Sequence, residues 1–168
     1  MSTNQKGFTL IELVVVIAIL AILAAVALPR FAELSDEAHR AKVENIGGAL
    51  MSAVNLARAQ WLANGNQVAV TDLPGFGEPN AVVDVSLDGW PTGVSGNTSP
   101  SAMTEAECND LFGALLTQNS AGTSLGVGED FQTSLSSGDC RYTYLVTADG
   151  YYIDYDPETG SVYTELTP

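Results

Sequence analysis

From Phe8 to Leu28 the chain runs 21 residues with Thr9 and Glu12 as the only polar side chains. Wound as a helix, that stretch is about 31 Å long, close to the roughly 30 Å hydrocarbon core of a bilayer. A helix that is apolar all round has no face to offer water, so it belongs in lipid or against other apolar helices. A cleaved secretory signal has an apolar region of only about 7–15 residues and a small-x-small site after it. Here the run is longer, and Leu28-Pro29-Arg30 follows it. A plain signal anchor explains the length but not Glu12, because a carboxylate within a span costs roughly 2.5–3.5 kcal/mol on insertion scales.

Helical spacing resumes beyond Pro29. Apolar residues recur at Phe31, Leu34, Ala38, Val43, Ile46, Leu50, Val54, Ala57 and Trp61, mostly three or four apart. That spacing predicts an amphipathic helix of about eight turns. A proline inside a helix removes one hydrogen bond and kinks it. Residues 8–62 therefore read as one long helix, about 80 Å, bent at Pro29. Gly47 and Gly48 sit in its second half and cost about 1 kcal/mol each against alanine. They are expected to allow close packing against a sheet rather than to act as a hinge. His39, beside Glu37 and Arg40, reads as a solvated side chain.

Gly65 is a suitable helix C-cap. Residues 66–100 are punctuated by Gly, Pro, Asn and Ser and predict a loop-rich connection, with a strand over 81–87. Thr104 and Glu107 have capping-box spacing and predict a short helix through Cys108, Leu111, Phe112, Leu115 and Leu116. Its acidic start, with Glu105, Glu107 and Asp110, suits a helix N-terminus and needs no catalytic explanation. Three strands follow, over 140–147, 151–155 and 161–166, separated by turns at Asp149-Gly150 and Asp156–Gly160. The expected fold class is α+β: a long N-terminal helix packed on a small antiparallel sheet.

The formal net charge is -14, and it falls almost wholly on the second part. Residues 61–168 carry Arg141 as their single cation. Such a surface repels phosphate, which excludes nucleic acid as a partner. With one His and two Cys, a zinc site is not expected. Asp154, Asp156 and Glu158 are weak calcium candidates. They lack EF-hand spacing, and Asp-Pro-Glu-Thr-Gly forms a turn unaided, so no metal or cofactor is assigned. His39 has no Ser or Cys nucleophile placed beside it, and the chain is not expected to be an enzyme. The aromatic residues Trp61, Trp90, Tyr142, Tyr144, Tyr151, Tyr152 and Tyr155 read as packing rather than a sugar platform. Asn97-Thr98-Ser99 fits the N-glycosylation pattern, but modification there is not expected.

Lys6-Gly7-Phe8-Thr9-Leu10-Ile11-Glu12-Leu13 resembles the processing and assembly motif of type IV pilins and pseudopilins. The resemblance implies that an integral-membrane aspartyl peptidase cuts between Gly7 and Phe8 and that the same enzyme methylates the new N-terminus at Phe8. It also aligns Glu12 with the family's glutamate at the fifth mature position, where it would pair with a neighbouring subunit's ammonium. Many pilins carry a glycine where this chain has Ala21, so helix melting in a filament is not implied here. The implied organisation is a leader at 1–7, a transmembrane and polymerisation helix at 8–28, its amphipathic half at 29–62, and a head at 63–168. Cys108 and Cys140 allow a single intramolecular pairing, and beyond the membrane the compartment is oxidising. The family often bounds a C-terminal loop with such a bond, and closing 32 residues stabilises by roughly 3–4 kcal/mol in the chain-entropy model.

Ala27–Phe31, Asp36–Ala41 and Asp88-Gly89-Trp90-Pro91 look most like the mannose-sensitive haemagglutinin type of pilin. The implied function is a structural subunit that polymerises into a surface filament for attachment, with motility a further use. The implied partners are other copies of itself, the peptidase and methyltransferase, an assembly platform with minor pilins, and the inner membrane before assembly. The chain would cross that membrane once, N-terminus in the cytoplasm, and end in an extracellular filament. A pseudopilin or minor pilin of a secretion or competence system is the alternative, and a signal-anchored periplasmic binding protein is a second.

Overall fold

The computed structural model describes residues 7–76, 83–116 and 130–167, and the backbone of 123–124. Leader residues 1–6 and the first two positions of the strand predicted at 81–87 lie outside the described residues. Helix α1 spans Leu10–Ala63 and is assigned without interruption through Pro29. The chain divides into two compact units, one reaching Ala38 and the other His39–Pro168.

In the first unit the helical residues are exposed, apart from a half-buried Ala27. In the second unit α1 buries Val43, Gly47, Leu50, Val54, Ala57 and Trp61. Those spacings alternate between four and three residues, the predicted stripe from Val43 onward, whereas its expected first members Phe31, Leu34 and Ala38 are exposed. Gly65 follows the helix at φ 72°, and Asn66 N–H donates back to Trp61 C=O at 3.3 Å, closing the end as expected.

The connection from 66 to 104 holds a small antiparallel pair, β1 (Asp84–Val85) and β2 (Pro91–Gly93). The strand predicted over 81–87 is thus shorter among the described residues. Asp84 is fully buried. Its carboxylate accepts the backbone N–H groups of Asp72 at 3.0 Å and Gly96 at 2.6 Å. One buried acid thereby ties two loops, its charge met by amides.

Helix α2 (Glu105–Leu116) begins with the predicted capping box. Thr104 Oγ1 accepts the Glu107 N–H at 3.2 Å, and Glu107 Oε2 accepts the Thr104 N–H at 2.8 Å. A five-stranded sheet follows, ordered β3 (Thr123–Ser124), β4 (Phe131–Ser136), β5 (Asp139–Tyr144), β6 (Tyr152–Tyr155) and β7 (Val162–Glu165). β4 to β7 form an antiparallel meander, and β3 runs parallel to β4. The last three strands are those predicted, although the first of them ends at Tyr144 and leaves Leu145 and Val146 exposed.

β4 was not expected. Its Gln132, Thr133, Ser134 and Ser136 resemble a loop, yet Thr133 is buried beside Phe131. Ser137 (φ 58°) and Gly138 (φ 101°) make a two-residue hairpin into β5 with both residues at positive φ, the twist that adjacent strands need.

Cys108, Leu111 and Phe112 of α2 meet Phe131, Tyr142 and Tyr144 of the sheet in one core. The Phe112 and Tyr142 rings lie 4.2 Å apart. Tyr142 donates its hydroxyl hydrogen to Cys108 C=O at 2.9 Å, and burial raises its pKa well above the ordinary phenol value. The Cys108–Cys140 disulfide joins α2 to β5 within this core, with Cα atoms 5.5 Å apart.

Gly47 and Gly48 divide in their roles. A Cβ on Gly47 would overlap the Thr164 hydroxyl of β7, so close packing explains it. Gly48 is exposed and a Cβ there would meet nothing, so packing within the chain does not explain it.

Candidate processing and assembly site

Gly7, Phe8 and Thr9 precede the helix, which starts at Leu10. The Gly7–Phe8 bond therefore lies in non-helical backbone. Among the described residues nothing lies within 4 Å of a Cβ added at Gly7, and Phe8 is 86% exposed. A peptidase needs an extended, accessible segment, and this bond requires no helix unwinding to reach.

Thr9 and Glu12 form a second capping box. Glu12 Oε2 accepts the Thr9 N–H and the Thr9 hydroxyl, both at 2.8 Å, and Thr9 Oγ1 accepts the Glu12 N–H at 3.3 Å. Sequence reasoning gave Glu12 a partner in a neighbouring ammonium and did not give it this local one. The signal was available, since Thr-x-x-Glu recurs at Thr104–Glu107. The carboxylate is thus held one turn from Phe8, over the helix N-terminus, where backbone N–H groups already favour an anion. One carboxylate can accept several hydrogen bonds, so capping leaves capacity for an incoming ammonium.

Beyond this cap, the span is long and apolar enough to cross a membrane, with mean hydropathy 3.1 over 18 residues and none of that window buried among the described residues. Large side chains on every side of it, from Leu10 to Leu28, face outward. Such a surface needs lipid or other apolar helices around it.

The head uses its remaining candidates structurally. Asp154 is held by Arg141 through two bonds, Nε to Oδ1 at 2.8 Å and Nη2 to Oδ2 at 2.6 Å. Asp156 Oδ1 accepts the Glu158 and Thr159 N–H groups at 2.8 and 3.3 Å within its own turn. Among the described residues no three His, Cys, Asp or Glu side chains gather as a metal site would require. Nearby Asp139 has its carboxyl pKa raised, first by burial and then by the Asp156 and Asp154 charges.

Trp61 is buried, Trp90 has the Arg58 guanidinium 4.1 Å over its ring, and Tyr152 has Arg141 at 3.9 Å. Each of these rings is thus engaged within the head, by burial or by an arginine over it. Asn97 folds onto its own turn: its Oδ1 accepts the Ser99 N–H at 2.9 Å. His39 departs from the sequence expectation. It is half-buried, and its Nδ1 shares a hydrogen bond with the Tyr144 hydroxyl at 2.8 Å. Its neighbours Glu37 and Arg40 misled, because the helical period puts His39 on the Val43 stripe.

Residues 2–28 match the family model described as the prokaryotic N-terminal methylation motif. The chain is 51% identical over 55 residues, 33% of its length and 47% of the relative's, to the type IV narrow pilus major component PilA5 of Thermus thermophilus. It is 42% identical over 81 residues, 45% of its length and 48% of the relative's, to a fimbrial protein of Neisseria meningitidis. It is 31% identical over 124 residues, 68% of its length and 79% of the relative's, to fimbrial protein Q of Moraxella bovis. The matches thus span about half the length of the first two relatives and most of the third. No solved structure matches the chain.

Proposed function

The chain belongs to the type IV pilin family, and from that premise we propose that it is a prepilin whose processed form polymerises into a surface filament. Cleavage between Gly7 and Phe8 frees an amine, which the same enzyme methylates. Before assembly the span at 8–28 sits in the inner membrane with the leader on the cytoplasmic side. An assembly platform then moves it from lipid to a bundle of its own copies. The observation that carries the reading is the juxtaposition at the N-terminus. An exposed, non-helical Gly7–Phe8 bond stands next to a capped helix whose apolar span has no cover among the described residues.

In the filament, Glu12 meets the Phe8 ammonium of an adjoining subunit. An unpaired charge among apolar helices is strongly unfavourable, and a partner removes most of that penalty. The pairing also fixes the axial register. The Ala27–Phe31, Asp36–Ala41 and Asp88–Pro91 segments support a narrower place near the mannose-sensitive haemagglutinin type, with surface attachment as the role.

Gly7→Val tests the processing step. A branched residue before the cut hinders the extended conformation that a peptidase binds. The variant is expected to keep residues 1–7 by intact mass and to leave sheared filaments absent. Normal trimming of this variant contradicts the assignment. Wild-type protein present only at trace level in sheared filaments assigns the role of a minor subunit instead.

A further inference from the structure

Two polar ties join α1 to one end of the sheet. His39 Nδ1 and Tyr144 Oη share a hydrogen bond at 2.8 Å, with ring centroids 5.8 Å apart. One turn on, Lys42 Nζ donates to Asp130 Oδ2 at 2.6 Å and lies 5.7 Å from the centroid of the same Tyr144 ring. Tyr144 is itself anchored, packed against Phe131 at 5.2 Å and buried. The Lys42–Asp130 pair is partly exposed, so alone it holds weakly.

Apolar cover under the same turns is lighter than in the turns that follow. Between His39 and Leu50 the fully buried α1 positions are Val43 and Gly47, with Ile46 and Ala49 partly buried against the core. Beyond these turns α1 buries Leu50, Val54, Ala57 and Trp61. Gly47 is excused by its contact with Thr164, but Gly48 has neither a packing contact nor a positive φ to require glycine. Each glycine lowers local helix stability by about 1 kcal/mol against alanine. A segment held by two ties at its near end, by Val43 and a partly buried Ile46 in its middle, and ending in a glycine pair differs from the helix that follows.

We propose that residues 39–48 of α1 are a releasable strap, clasped to the sheet by His39–Tyr144 and Lys42–Asp130 and able to lift as one cooperative piece while Leu50–Trp61 stays packed. Local openings of this kind run in contiguous units with free energies below the global one. In a filament subunit the strap would let two or more turns of helix adjust between lipid and filament without opening the core. That use rests on the function proposed above, whereas the opening itself does not, so the two can fail separately.

The test is residue-resolved hydrogen exchange on the processed full-length chain in detergent micelles. Tyr144→Phe keeps the core ring and removes its tie to His39, and Lys42→Met removes the other. With both changes, amides of 43–48 are expected to exchange about tenfold faster, while those of 52–61 and of β5 and β6 keep their rates. Gly48→Ala is expected to slow the 43–48 amides several-fold, a response opposite to that of a destabilising surface change. Acceleration spread evenly through 43–61 and the sheet overturns the strap, since the clasp would then support the whole head. Unchanged rates at 43–48 overturn it as well.

Discussion

The two units solve the problem of apolar surface in opposite ways. Up to Ala38, α1 carries its large hydrophobic side chains outward and buries almost none of them within the chain. From His39 on, the same helix turns a four-three stripe onto a closed core of α2 and the sheet. Both halves are helical, so secondary structure does not distinguish them. The distinction lies in where the complementary surface resides, in other molecules for the first unit and within the chain for the second. A single subunit therefore specifies its own head but leaves its N-terminal helix incomplete, which is the physical basis for reading it as a building block.

The most severe way to break this comparison is to remove residues 1–28. The truncated chain is expected to change from detergent-dependent to freely soluble, an all-or-none effect, with a thermal midpoint close to that of the full chain in micelles. A large fall in the midpoint measured by circular dichroism would mean that the head depends on the span. Next in size is loss of the disulfide that staples α2 to β5. Replacing Cys108 and Cys140 together by alanine is expected to cost about 3 kcal/mol, lowering the midpoint by on the order of 10 °C. Insertion and cleavage should be unaffected, because both concern the other unit.

The smallest expected effect sharpens the account of the acidic head. Burial and neighbouring carboxylates raise the Asp139 pKa above its usual value of 3.8. A raised carboxyl pKa in the folded state adds stability below the unfolded pKa, and that increment is lost as pH rises through the folded pKa. Asp139→Asn is accordingly expected to stabilise the head slightly at pH 7, by a fraction of a degree to a few degrees, with the gain vanishing below about pH 4. A larger gain at acid pH than at neutral pH, in paired melts, would contradict that cause.

Much of this division was legible in the sequence because it rests on periodicity. The uninterrupted apolar run, the stripe from Val43 to Trp61, the Thr104–Glu107 cap and the alternation from Cys140 to Leu166 are local patterns, and local rules suffice for them. A protein with two cysteines also leaves a single bridge to draw. What the pattern could not carry were partners fixed by tertiary contact. β4 is polar by composition, and its Thr133 is buried only because β5 and α2 lie beside it. Asp84 looks like a surface acid until two distant loops bring their N–H groups to it. At the N-terminus the Thr9–Glu12 spacing was readable, but its apolar surroundings drew attention to membrane cost rather than to capping.

That last point bears on the central claim: Glu12 caps α1 within the chain, and in the proposed filament it would also partner the Phe8 ammonium of another copy. Glutamine fills the capping position about as well as glutamate but carries no charge, so Glu12→Gln separates the tasks and Glu12→Ala removes both. The decisive measurement is the ratio of sheared filament to processed, cell-associated protein in these two variants and the wild type. The charge-pairing account predicts that both variants insert and are trimmed after Gly7 at near wild-type levels, yet both yield few filaments. Wild-type filament yield from Glu12→Gln would contradict it and leave Glu12 as a helix cap alone.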